Sequence, residues 1–153
     1  MKNTEIERKW MMDGFPDLPC DGEIIQTQGY LSFEPNTVRI RKIDRCGEVN
    51  CRLTIKGRGT LTRTEVALDL EEGQYEALLP LVVGPTAQKQ LRFYTLPGGF
   101  ELECSLVDEG EPGALYYSEI EIDSEKQANN FVAPAWFGRL VTCADGYATT
   151  AAC

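Results

Sequence analysis

The stretch TEIERKW, residues 4–10, has a charged side chain at every second position from residue 5 to residue 9. The charged side chains at every second position are Glu5, Glu7 and Lys9. On a β-strand, residues two apart point to the same face, so these three would share one surface, with Ile6 and Arg8 on the opposite face. The stretch therefore predicts a first strand, over Thr4–Met12, with a charged row along one face.

Similar charged rows recur in later parts of the chain. The segments FELEC and SEIEID repeat the acidic pattern, whereas TVRIRK, RLTIKG, TRTE and LRF carry basic or mixed rows. The acidic members are Glu65, Glu101, Glu103, Glu119 and Glu121, and the basic members are Arg39, Arg41, Arg52, Lys56, Arg63 and Arg92. This period of two predicts strands.

The whole chain, residues 1–153, is predicted to form one mainly β domain of α+β type. About eight antiparallel strands alternate with turn signals. The segment EEGQYEALLPLVVG, residues 71–84, has helical spacing, and a second short helix is expected to begin near Asp123 or Ser124. A closed barrel would leave no exposed sheet edge, so we expect an eight-stranded antiparallel barrel with short helices outside it.

Two orientations of the charged rows are open at this point. A single E-x-E pair is typical of a half-exposed strand that shows its polar side to water. Here, however, the rows recur on at least six strands, and the alternating apolar residues need burial. Helices on the outside could cover those apolar residues, which would place the charged rows inside a wet tunnel. We favour this second orientation.

A charged tunnel needs counter-ions, because clustered like charges repel. Carboxylate clusters prefer hard cations such as Mg²⁺ or Mn²⁺. Clusters of arginine and lysine prefer phosphate oxygens. A tunnel with both clusters indicates a metal-bound polyphosphate.

Composition excludes several other classes of function. The chain of 153 residues has a formal charge of −9 and a pI of about 4.6, which argues against nucleic acid as a partner. Without histidine, it has no Ser-His-Asp triad and no Cys-His nucleophile. Its six cysteines form no C-x-x-C pair. We expect no membrane segment and no signal peptide, and therefore a cytoplasmic protein.

The segment EIERKW resembles the E-x-E-x-K signature of the CYTH domain, the domain of the triphosphate tunnel metalloenzymes. The segments QGYL, VRIRK, LTIKG, TRTE, LRF, FELE, SEIEI and PAWFGRLVT continue the resemblance in family order, over about residues 3–147. The resemblance implies an eight-stranded antiparallel barrel that forms a tunnel. It also implies hydrolysis or cyclisation of triphosphates with a divalent metal.

Site residues follow from the resemblance by position. The implied metal ligands, for Mg²⁺ or Mn²⁺, are Glu5, Glu7, Glu101, Glu103, Glu119 and Glu121. The implied substrate-binding residues are Lys9, Arg39, Arg41, Lys56, Arg63 and Arg92. The implied catalytic residues are Glu5, Glu7, Lys9 and Glu121. In this scheme Lys9 either neutralises the leaving oxygen or orients the attacking water.

The chain departs from the family pattern in several places. The family often has a lysine two residues before the arginine matched by Arg92, where this chain has Gln90, and Lys89 lies one residue away. Ala67 and Leu140 replace acidic residues of the family pattern. The sequence also ends soon after Tyr147, in ATTAAC, so we expect a more open tunnel mouth at that end.

The expected activity is hydrolysis of inorganic triphosphate (tripolyphosphate), since no large insertion is present to bind an organic group. Alternatives within the family are a class IV adenylyl cyclase and a thiamine or nucleoside triphosphatase. An alternative of another class is a triphosphate- or polyphosphate-binding module that has lost catalysis. We expect a triphosphate-containing small molecule as partner, no nucleic acid, and a possible homodimer.

Overall fold

The computed structural model describes residues 4–141. This part of the chain forms nine strands, β1 to β9, and two α-helices, α1 and α2. The strands are Thr4–Met12, Gly22–Ser32, Thr37–Arg45, Glu48–Lys56, Thr62–Leu70, Ala87–Thr95, Glu101–Val107, Leu115–Glu121 and Leu140–Val141, and the helices are Glu72–Leu78 and Glu125–Asn130. A 3-10 turn, Leu79–Leu81, follows α1 directly.

Eight of the strands close into an antiparallel barrel. Their order around it is β5-β4-β3-β2-β6-β7-β8-β1, and β1 pairs with β5 to complete the ring. The two residues of β9 pair with β1 opposite Lys9 and Trp10. The predicted eight-stranded antiparallel barrel with few helices is therefore confirmed.

The largest hydrophobic core lies outside the barrel wall. Outward-facing residues of β1, β7 and β8, including Ile6, Leu102 and Ile120, pack with Ala128 of α2 and with Phe131. Helix α2 begins at the predicted place, where the hydroxyl of Ser124 accepts a hydrogen bond from the backbone N–H of Gln127. Burial of the apolar row on the outside leaves the charged row of β1 for the interior.

A second core lies beneath α1 on the outer face of β3 and β4. Tyr75 of the helix packs on Ile40 and Cys51, which are both buried. Helix α1 has only seven residues and covers only part of this face. Ile55 and Leu68 are consequently 38% and 51% exposed, whereas the sequence predicted burial of Ile55.

The four described cysteines are free thiols, and Cys51 and Cys104 are buried in the outer cores. Cys143, Cys153, Tyr147 and the ATTAAC end lie outside the described residues. Within residues 4–141, no helix is long and apolar enough to cross a membrane.

Candidate active site

A cavity of about 240 Å³ runs inside the barrel and is lined mostly by charged side chains. The lining residues are Glu5, Glu7, Ile24, Gln26, Arg39, Arg41, Arg52, Lys56, Glu65, Lys89, Leu91, Phe93, Glu103, Glu119 and Glu121. The strand alternation places them there, since the intervening residues face the outer cores. The charged rows point inward, as the sequence predicted, on β1, β3, β4, β5 and β8.

Carboxylates from three neighbouring strands meet on one side of the tunnel. Glu7 of β1 lies opposite Glu121 of β8, and Glu119 of β8 lies between Lys9 of β1 and Glu103 of β7. Like charges directly opposite each other destabilise a sheet. This side of the tunnel therefore needs protons or cations.

Four of the carboxylates lie side by side in a continuous row, Glu65–Glu5–Glu7–Glu119, in which each influences the pKa of the next, and we call it the acidic row. Burial, and then the charge of Glu119, raises the pKa of Glu7 well above its usual value. Burial opposes ionisation of Glu119 too, but Lys9 and the hydrogen bond with Glu7 lower its pKa to about 2. The pKa of Glu7 is thus shifted upward, whereas the pKa values of its neighbours Glu5 and Glu119 are shifted downward.

Two cations, Lys56 and Arg63, flank the acidic row at Glu5. The Nζ atom of Lys56 lies 2.9 Å from Glu5 Oε2 and 3.3 Å from Glu65 Oε2. Arg63 approaches Glu5 at 3.4 Å and Glu7 at 3.5 Å. Burial raises the pKa of Glu5, but the hydrogen bond with Glu7 and the charge of Lys56 outweigh it, so the net shift is downward.

Glu119 and Glu103 extend the acidic side toward β7. Lys9 Nζ lies 3.8 Å from Glu119 Oε2, and both side chains are largely buried. Burial, followed by the charge of Glu119, raises the pKa of Glu103 to about 7. A divalent cation near these oxygens would favour their ionised forms.

Further cations gather on β3 and β6. Arg41 donates two hydrogen bonds to Gln28 Oε1, at 3.1 and 2.9 Å, and burial lowers its pKa to about 10. Lys89 donates a hydrogen bond to the hydroxyl of Tyr117, and burial and the charge of Arg41 lower the pKa of Lys89. Mutual repulsion of buried cations is relieved when an anion such as phosphate binds between them. We call Arg39, Arg41 and Lys89 the basic cluster.

The structure brings most of the predicted site residues together. Glu5, Glu7, Arg39, Arg41, Lys56, Glu103, Glu119 and Glu121 line the tunnel. Lys9 and Arg63 lie behind them, in ion pairs with the acidic row. Glu101 is exposed at the start of β7 and does not line the cavity.

The predicted inward position of Arg92 is wrong. Arg92 lies on the outer face, where its Nε donates to Glu23 Oε2 at 2.7 Å and its guanidinium lies 4.1 Å from the Phe15 ring centre. The inward residues of β6 are Lys89, Leu91 and Phe93.

Lys89 is the site residue that the sequence interpretation missed. The register of the β6–β7 hairpin contains the missing signal, because Phe93 lies opposite Glu103 and Tyr94 opposite Leu102. Once Glu103 is assigned inward, Phe93, Leu91 and Lys89 must follow. If the family lysine is Lys89, then the inward position two residues later holds Leu91 instead of an arginine.

The other two departures from the family pattern, Ala67 and Leu140, lie in different parts of the barrel. Ala67 is in register with Thr54 on the inward row of β4 and β5, so an acidic side chain is missing from the tunnel there. Leu140 lies opposite Trp10 and is 45% exposed. The replacement of the family's acidic residue by Leu140 therefore does not change the tunnel lining.

Mg²⁺ or Mn²⁺, the cofactor that the family implies, fits the chemistry of these donors. The acidic row offers only oxygen ligands, and a divalent cation would relieve the repulsion between Glu7 and Glu119 that raises the pKa of Glu7. The carboxylates do not yet form a ready-made cage: within residues 4–141 no three acidic or thiol side chains converge on one point.

Known proteins resemble the chain in both sequence and fold. It is 35% identical, over 91% of its length and 89% of the relative, to an inorganic triphosphatase of Nitrosomonas europaea. A crystal structure of the inorganic triphosphatase NE1496 matches with a TM-score of 0.62 and 29% identity, over 90% of this chain and 86% of that one.

A more distant structure shares the fold alone. The protein PH1819 of Pyrococcus horikoshii OT3 matches with a TM-score of 0.59 and 19% identity, over 82% of each chain. No protein-family model matches the chain. The 35% identity, the closed barrel and the interior rows of carboxylates and cations lead to one assignment. The chain belongs to the CYTH-domain family of triphosphate tunnel metalloenzymes.

Proposed function

We propose that this protein hydrolyses triphosphates, with inorganic triphosphate as its substrate and Mg²⁺ or Mn²⁺ as its cofactor. The observation that carries the proposal is the pairing of an acidic row with a basic cluster inside one tunnel. The named activity of the Nitrosomonas europaea relative supports it. The size of the cavity, about 240 Å³, also favours a compact inorganic substrate, because sites for drug-sized ligands are typically larger, at about 300 Å³ or more.

The basic cluster would bind the phosphate chain. Arginines match phosphate oxygens through pairs of N–H donors, and a lysine acts as a point charge. Arg39 and Lys89 are buried, so their contacts with phosphate would form in a water-poor environment where charge–charge attraction is strong. Arg41 already has its guanidinium fixed by Gln28, which lowers the cost of orienting it.

The acidic row would hold the metal. Glu5, Glu7 and Glu119 would be the central ligands, and Glu103 and Glu121 also line the cavity. A bound divalent cation supplies charge neutralisation at phosphate oxygens and lowers the pKa of a coordinated water. Lys56 and Arg63 keep the ionised carboxylate of Glu5 in place through their ion pairs.

The reaction would be in-line attack of water on the terminal phosphorus. Glu121 lies opposite Glu7 and is exposed, so it is placed where water reaches the acidic row, and it would orient the attacking water. Lys9, held beside Glu119, would stabilise the charge that develops on the leaving pyrophosphate.

Phosphate release from tripolyphosphate, ATP and thiamine triphosphate, each with Mg²⁺, Mn²⁺ or EDTA, tests the proposal. Arg41→Met should lower kcat/KM for tripolyphosphate by about 100-fold, because it removes a charged contact to phosphate in the tunnel. The matched control is Arg58→Met, since Arg58 is exposed and pairs with Glu34. Activity that persists in EDTA, or equal loss in both variants, would contradict the proposal.

One observation favours the second candidate, a binding module without catalysis. Leu91 and Ala67 are uncharged residues on inward rows of β6 and β5 that also carry Lys89 and Glu65. That candidate predicts tight tripolyphosphate binding and no phosphate release with either metal. A cyclase would instead convert ATP into cyclic AMP and pyrophosphate.

A further inference from the structure

Gln26 is a buried polar residue whose position the mechanism above does not explain. It lies on β2, lines the tunnel and is 4% exposed. Its side-chain oxygen Oε1 is buried and has no hydrogen-bond partner within residues 4–141. Burial of an amide oxygen without a partner costs stability, so such groups in proteins call for an explanation.

Gln28, two residues along the same strand, shows the contrast. It faces the same side, is fully buried, and its Oε1 accepts both hydrogen bonds from Arg41. Gln28 therefore has a structural role as the partner of an arginine. Gln26 has the same side chain in the same row but no such role.

The surroundings of Gln26 point to a partner inside the tunnel. Its register neighbours are Lys89 on β6 and Ile43 on β3. The next inward residues of this wall, Ile24 and Leu91, are aliphatic and offer no hydrogen bond. A phosphate held by Lys89 would lie beside the amide of Gln26.

We propose that Gln26 is a substrate-binding residue that contacts the same phosphate group as Lys89. The inference rests on the proposed function, because it takes a triphosphate as the tunnel's occupant. Rotation about the terminal side-chain bond exchanges the oxygen and the NH₂ group, so the amide donates a hydrogen bond to an ionised phosphoryl oxygen. A neutral donor at this position adds directional recognition without adding repulsion to Lys89 and Arg41.

The test compares Gln26→Leu with Gln90→Leu. Gln90 is the matched control, because it faces outward from β6 and donates to Glu23. The dissociation constant of tripolyphosphate is measured by titration calorimetry in EDTA, and KM is measured by phosphate release with Mg²⁺. The unfolding midpoint is measured by scanning calorimetry without added tripolyphosphate. Gln26→Leu should weaken binding and raise KM by about tenfold, with kcat within about twofold. Gln90→Leu should leave both constants unchanged.

The unfolding midpoint separates a binding role from a structural one. If Gln26 serves the substrate, Gln26→Leu leaves the midpoint without anions unchanged or raises it, since an unpartnered buried oxygen is removed. Gln26→Met, which is unbranched, guards against a packing defect of leucine. Unchanged tripolyphosphate affinity in both variants overturns the inference. A fall of the unfolding midpoint in both variants, parallel to the loss of tripolyphosphate binding, also overturns the inference.

Failure of the proposed function gives a different result. Wild-type protein that binds tripolyphosphate without releasing phosphate refutes hydrolysis, and the dissociation constants of the variants still decide the role of Gln26. Wild-type protein that does not bind tripolyphosphate at all refutes both.

Discussion

Strands β1 and β6 belong to the same barrel but differ in how they divide polar and apolar side chains. In β1 three successive inward residues, Glu5, Glu7 and Lys9, are charged, and Ile6 and Trp10, on either side of Arg8 on the outer face, are apolar. In β6 each face is mixed. Lys89 shares the inner face with Leu91 and Phe93, and Arg92 shares the outer face with the buried Tyr94.

The difference shows what determines which face of a strand points into the tunnel in this fold. The pattern of β1 specifies its own orientation, because a one-residue shift would turn Trp10 into the tunnel and Glu7 into the outer core. The pattern of β6 allows either orientation. Its facing is set by its hairpin partner β7, whose Leu102 lies opposite Tyr94 and is fully buried outside the barrel.

The largest effect is expected at the acidic row. Glu7→Gln keeps the size and hydrogen bonding of the side chain but cannot become the anion that a metal requires. We expect metal-dependent phosphate release from tripolyphosphate to fall by about 100-fold or more, with the unfolding midpoint in EDTA nearly unchanged. Steady-state kinetics and calorimetry measure the two quantities.

Glu23→Gln is the control for this variant, since Glu23 has the same side chain on the outer face of β2. Full activity of Glu7→Gln would mean that the inward row of β1 has no part in catalysis. The comparison of β1 with β6 would then describe packing alone.

The next effect separates the two faces of β6. Lys89→Met removes a buried cation from the basic cluster and should lower kcat/KM for tripolyphosphate by about 10- to 100-fold. Arg92→Met should leave kcat/KM within about twofold, because Arg92 contacts Glu23 and Phe15 outside the tunnel. The reverse order of effects would show that β6 faces the other way.

The barrel and much of the candidate site could be predicted from the sequence, because most strands resemble β1. A row such as Glu119 and Glu121 with Ile120 between them has one apolar face, and that face must be buried. With outer helices available, burial of the apolar side places the charges inside. This argument identified ten of the residues that line the tunnel, including Arg52 and Glu65.

The facing of Lys89 and the role of Gln26 could not be predicted in this way. Both lie on inward rows that mix polar and aliphatic residues, so alternation along the strand carries little information there. Gln26 and Gln28 are the same residue type two positions apart. Only the contacts distinguish them, because Arg41 donates to Gln28.

A substitution at Leu91 sharpens the comparison by giving β6 a more charged inner row. Leu91→Lys places a second ammonium two residues from Lys89 on the same face, in a site that is 5% exposed. We expect the free energy of unfolding to fall by about 2 kcal/mol in the absence of anions. Saturating tripolyphosphate should then raise the unfolding midpoint more than it does in the wild type, since the added charge gains a counter-ion.

Leu91→Met is the control, because it keeps an uncharged side chain of similar volume. Equal stabilisation of the lysine and methionine variants by tripolyphosphate would place the bound anion away from β6.

The smallest effect concerns the ion pair on the outer face of β6. Hydrogen bonds from Arg92 and Gln90 lower the pKa of Glu23 below its usual value. A carboxyl whose pKa is lower in the folded state stabilises the protein at neutral pH, and its contribution disappears as the pH falls through that lowered pKa. Both side chains of the pair are more than a third exposed, so solvent screens the ion pair and we expect a coupling below about 1 kcal/mol.

Urea unfolding of Glu23→Gln, Arg92→Met and the double variant at pH 7 and pH 3 measures this coupling. A coupling that is larger at pH 3 than at pH 7 would have the wrong sign for an ionised Glu23, and would mean that the pair does not hold Arg92 on the outer face.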